Sequence, residues 1–194
     1  MTHRPISPLL VPQGLFAALA AVLASQPAMA HGSAAGGVFA GFWHPLSGGD
    51  HLLLLIAVGL AAASLSPQLL AWALVGGLAG GVFGALGGGV PAAEVLAALA
   101  IPAVASLVLL QRRGGQPPAL GIGGALIAIT VALHAMLHGQ EASGTASWWL
   151  GALMASALSI GLSFAAGRQL SLRQSQLAAG LLVLLGGVLA LAPL

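Results

Sequence analysis

Six apolar stretches, each about as long as a helix needs to be to cross a bilayer, occupy the chain from residue 46 onward. They run at about 46–65, 69–86, 92–111, 119–138, 148–167 and 175–193. Roughly 20 apolar residues coil into the length of a hydrocarbon core. The stretches are separated by Ser66-Pro67-Gln68, by Gly87-Gly88-Gly89-Val90-Pro91, and by segments from Arg112 to Pro118, from Gly139 to Ser147 and from Arg168 to Gln174. Glycine, proline and polar clusters of this kind end helices. Pro102 falls inside the third stretch and is expected to kink it. Composition excludes the other classes. Charged residues are 4% of the chain and hydrophobic residues 59%, whereas a soluble domain carries about 25% charge. Too little polar surface is available to face water, and disorder needs the opposite balance. The expected fold class is therefore all-α, a polytopic transmembrane helical bundle of about six helices.

The N-terminus has the form of a secretory signal. Arg4 supplies a charged start, Gly14 to Leu23 an apolar region, and Ala28-Met29-Ala30 a small-x-small cleavage site. Residues 1–30 are expected to be removed, leaving 31–194 as the six-helix domain with His31 at its head. The alternative is an uncleaved first helix. Arg112 and Arg113 follow the third stretch, and Arg168 and Arg173 follow the fifth. If every stretch spans, both loops lie on one side, which the positive-inside rule makes cytoplasmic. The mature N-terminus is then outside, whether or not the signal is cleaved.

The second stretch carries Gly76, Gly80 and Gly84, with Gly77 and Gly81 beside them. Small residues four apart let helix backbones approach closely where lipid removes the hydrophobic drive. Packing within the bundle is the expected use, and homo-oligomerisation through 69–86 the other.

On this topology the ionisable residues divide. The four loop arginines lie at one end. His44, Asp50, His51, Glu94, His134, His138 and Glu141 fall toward the other end, the side of His31. Ionisable groups within spans are costly and usually mark a pathway or site. His134 and His138 share a helix face at i, i+4, and Glu141 stays near it if the helix continues past Gly139. Between His44 and His51, Pro45 and Gly48-Gly49 are expected to break the helix. A broken helix beside polar groups is one way to build a site at membrane depth. Cysteine is absent, which excludes disulfides and thiolate metal sites. Several imidazoles with carboxylates suit Ni, Cu, Zn or Fe, the carboxylates either compensating charge or holding a ring by its second nitrogen. His31 offers an amine and an imidazole that can chelate together. His3, within the signal, is given no role. The net charge of +2 comes without the clustered basic residues that nucleic-acid binding needs.

The run His44-Pro45-Leu46-Ser47-Gly48-Gly49-Asp50-His51, followed by Val58-Gly59, resembles the HPxxGxDH signature of the HupE/UreJ family. His134-Ala135-Met136-Leu137-His138-Gly139-Gln140-Glu141 resembles that family's HxxxHGxE element. Glu94 stands where the family has an acid near the start of a middle helix, and the His31-Gly32 start is similar. The resemblance implies a permease for Ni²⁺ or a related divalent metal (Cu, Zn, Co and Fe stay open), with the motif residues as ligands. The expected place is a bacterial inner membrane, with the arginine loops cytoplasmic and the mature N-terminus periplasmic, and no enzymatic role is expected.

Other classes remain beside it. One is a periplasm-facing metal-binding or delivery protein that does not transport, suggested by the scarcity of ionisable residues in the inner half. Another is a haem protein with axial histidines, for which a Soret band is the discriminator. A third is a membrane metalloenzyme, although HExxH and G-x-S-x-G are absent. No GxxxxGK[ST] loop is present either, so this chain carries no such site for ATP.

Overall fold

The computed structural model describes residues 37–116, 119–141 and 146–191. The signal segment and His31 lie outside the described residues, within which the molecule is entirely helical. Its helices are α1 (Gly37–Ser47), α2 (Gly49–Ser64), α3 (Leu69–Ala85), α4 (Ala93–Arg112), α5 (Leu120–Glu141), α6 (Ala146–Gly167) and α7 (Leu172–Leu191). Four of them, α4 to α7, are long and apolar enough to cross a membrane. The bent pair α1–α2 makes a fifth if it counts as one span. Helix α3, with 17 residues, falls just short. The expected second span is thus a short apolar helix. The expected first span is divided, with a helical segment added before it.

The division has a local cause. Gly48 adopts an extended conformation (φ −80°, ψ 118°). Its N–H closes the last turn of α1 on His44 O at 3.2 Å, while its carbonyl accepts the first bond of α2 from Leu52 at 3.0 Å. The two helices meet there at 77°. Pro45 does not make the break; it sits inside α1 and is buried. Helix α4 likewise continues through Pro102, whose carbonyl accepts a hydrogen bond from Ser106 Oγ at 2.7 Å.

Helix α2 is the centre of the bundle and packs against each of the other helices. Its Leu53, Ala57, Val58, Ala61 and Ala62 are almost wholly buried. They join Ala100, Ile101, Val104 and Val108 of α4, Ile127 of α5 and Leu182 of α7 in one apolar core. Helix α3 packs most extensively on α5, α4 on α7, and both α1 and α2 on α6. The outer faces present apolar side chains such as Leu78, Val82, Ile129 and Leu162, as a lipid-facing surface should.

Glycine sets the closest of these contacts. A Cβ on Gly76, Gly80 or Gly84 would run into the backbone of Ala128, Ala132 or Met136 respectively. The four-residue steps of α3 therefore match those of α5. Gly77 faces Val131 and Gly81 faces Trp149, so both glycine rows are used within the bundle.

Candidate metal site

The break at Gly48 puts the end of α1 and the start of α2 at one end of the bundle. The last two turns of α5 arrive at the same end, as does the first turn of α6. His44 comes from α1, Asp50 and His51 from α2, His134, His138 and Glu141 from α5. Helix α5 persists to Glu141, as the shared-face reading requires.

His44, His51 and His138 converge. One ring nitrogen from each lies within 4.8 Å of the other two. The ring centroids are 5.0 Å apart for His44–His51 and 4.5 Å for both His44–His138 and His51–His138. His51 is buried and the other two are half-buried. The Nε2 atoms of His51 and His138 face each other directly. His51 Nδ1 lies 2.7 Å from Asp50 Oδ1. An ionised carboxylate only accepts, so the ring proton belongs on Nδ1. The lone pair is then on Nε2, aimed into the cluster. That arrangement fixes the tautomer a metal-ligating imidazole needs.

The remaining residues form a second ring. His134 Nε2 is 3.6 Å from Asp50 Oδ2, and its imidazole centroid lies 5.4 Å from that of His51. His138 Nδ1 is 3.6 Å from Glu141 Oε2. Asp50 thus stands between two histidines, beside the three-nitrogen group rather than inside it. Glu94, in the first turn of α4, is exposed and outside that group. His44 Nε2 and His134 Nδ1 are buried without a hydrogen-bond partner among the described residues. Unpaired buried polar atoms cost free energy, and a bound cation would relieve that of His44 Nε2.

Sequence reasoning passed over Trp148. It is 4% exposed, and its ring centroid lies 5.2 Å from that of His44 and 6.1 Å from that of His138. Its place is set by a close crossing of α1 and α6. A Cβ on Gly41 would strike the Trp148 backbone, and one on Gly151 would strike Val38 and Phe42. The available signal was the Trp148-Trp149 pair near the head of a span, with six residues between it and the HxxxHGxE element. Gly48 also matters here. A side chain on it would enter the space of the His51 ring and come within 3.2 Å of Asp50 Oδ1.

An all-helical membrane bundle with a partly buried imidazole cluster at one end is the class of protein these features define. The family model described as HupE / UreJ protein matches residues 19–193, and the chain belongs to that family. It is also 32% identical over 131 residues to Protein HupE of Rhizobium leguminosarum bv. viciae. That match covers 63% of this chain and 65% of the relative, just under two thirds of the relative's length. No solved structure matches the chain.

Proposed function

We propose that the chain is a membrane permease or facilitator for Ni²⁺ or a related divalent transition metal. The observation that carries this reading is the convergence of His44, His51 and His138 from three separate helices. Three imidazole nitrogens suit a borderline divalent cation. In this reading they are the capturing ligands. Asp50 holds the His51 tautomer and supplies compensating charge, and Glu141 supplies charge beside His138. His134 lies behind Asp50, and Glu94 and His31 receive the ion before it reaches the cluster. The site faces the periplasm, residues 1–30 are the cleaved signal, and the chain is a transporter rather than an enzyme. The four arginines at the opposite end support that orientation.

Proteoliposomes test it. Ni²⁺ should enter the lumen with wild-type protein, and entry should be lost with His44→Ala or His138→Ala. Tight binding without entry would instead establish the second reading, a metal-holding protein that hands its ion on. One observation favours that alternative: below His51 the central helix is lined by Leu53, Leu54, Ala57, Val58 and Ala61, all buried. Those five side chains offer a cation no ligand atom.

Two further outcomes follow. Asp50→Asn keeps the shape but removes the charge, and an amide can present its NH₂ to His51. Outer ligand partners of this kind are worth about 10–100-fold in affinity, so Ni²⁺ binding by equilibrium dialysis should weaken by that factor. A variant that binds like wild type would remove Asp50 from the site. Imidazole must also be neutral to ligate. Affinity should therefore fall at acid pH, where protons compete with the metal for the ring nitrogens. Binding that did not weaken at any acid pH at which the bundle stays folded would argue against imidazole ligands.

A further inference from the structure

The end of the bundle opposite the histidines holds a charge that no side-chain carboxylate among the described residues neutralises. Arg112 closes α4 and is half-buried. Its Nη2 donates to Ser64 Oγ at 3.3 Å, across to the end of α2. Its Nε is buried and has no partner among the described residues. A guanidinium does not deprotonate in a protein, so it needs an anion or strong acceptors. The chain has three side-chain carboxylates, Asp50, Glu94 and Glu141, and all of them belong to the other end of the bundle. The nearby helix-end carbonyls are already used. Gly115 N–H bonds Leu110 O at 2.9 Å and Gly114 N–H bonds Gln111 O at 3.3 Å, a closed C-terminal motif. The Arg112 carbonyl itself accepts from Gln176 Nε2 at 2.7 Å.

That last bond joins α4 to the first turns of α7, and each of the two helices has a further group there without a partner. Ser175, next to Gln176, is 3% exposed and its Oγ is unpaired among the described residues; so is Oε1 of Gln111, next to Arg112. The first turn of α7 is closed by its own cap, Gln174 N–H donating to Ser171 Oγ and Ser171 N–H to Gln174 Oε1, and Arg113, Arg168 and Arg173 stand on the same end. We propose that Arg112, with Ser175, binds a phosphate group. The guanidinium gives charge-assisted donors and the serine hydroxyl a neutral one. An anionic phospholipid headgroup and free inorganic phosphate share this chemistry. The site is independent of the metal reading, since it shares no residue with it.

Nanodiscs containing phosphatidylglycerol and phosphatidylcholine provide the test, with bound lipid counted by native mass spectrometry. Wild-type protein should retain phosphatidylglycerol preferentially, and Arg112→Gln should lose that preference by about tenfold. Arg113→Gln removes the same charge from an exposed neighbour and should change it by less than about twofold. Inorganic phosphate is then titrated into protein held in phosphatidylcholine alone. Saturable, Arg112-dependent binding there, with displacement of phosphatidylglycerol, assigns the site to free phosphate; no displacement assigns it to the headgroup. Equal loss in Arg112→Gln and Arg113→Gln, or no binding of either probe, overturns the proposal. If Arg112→Gln fails to fold, Ser175→Ala and Arg112→Lys make the comparison, each expected to weaken binding while leaving the bundle intact. Unchanged binding in both would equally overturn it.

Discussion

Gly80→Ala should destabilise the bundle by about 2–3 kcal/mol, although it adds a single methyl group. The Cβ would sit 2.6 Å from the backbone Cα and carbonyl carbon of Ala132, and closer still to its carbonyl oxygen. A backbone cannot swing aside as a flexible side chain can, so α3 and α5 must separate. The same contact recurs one turn away at Gly76 and at Gly84, and forcing the helices apart at the middle contact strains all three. Gly161→Ala in α6 is the matched control, because nothing lies within 4 Å of its added methyl. That change should be neutral or stabilising by up to about 1 kcal/mol through backbone entropy. Thermal unfolding in detergent, followed by tryptophan fluorescence, measures both. Similar shifts for the two variants would show that α3 and α5 do not pack through these glycines.

The second large effect is expected at His51. Its ring lies against those of His44, His134 and His138, and its Nδ1 is 2.7 Å from Asp50 Oδ1. Loss of an outer ligand partner costs about 10–100-fold in metal affinity, and loss of a ligand should cost more. His51→Ala should therefore weaken Ni²⁺ binding by at least about a hundredfold and abolish uptake into proteoliposomes. His134→Ala removes a ring outside the three-nitrogen group and should have a smaller effect. Isothermal titration of the two variants separates them. Binding by His51→Ala that matched wild type would place the metal elsewhere.

Much of the site could be read from residue spacing. The i, i+4 pair His134/His138 and the helical reach to Glu141 depend only on helix geometry, and α5 preserves both. The break between His44 and His51 was legible because glycine and proline punctuate helices. Which residue carries the break was not, since Pro45 is accommodated within α1 and Gly48 bends the chain. Trp148 was not legible as a neighbour of the histidines. Its position depends on how closely α1 and α6 cross, and that depends on Gly41 and Gly151, which are far apart in the chain.

The division between chain and fold has a physical basis. Periodicity and hydropathy act over one or two helical turns, so the sequence by itself determined that the chain is helical and apolar. It also determined that its arginines and its histidines with acids belong to opposite ends. Contacts between helices depend on three-dimensional approach, which local pattern does not encode. Only the tertiary structure decided that α2 is the central helix, that the glycines of α3 serve α5, and that His44, His51 and His138 meet while Glu94 stands outside. It also decided that Asp50 lies beside a ring nitrogen of His51, because the turn at Gly48 aims the start of α2 into the cluster.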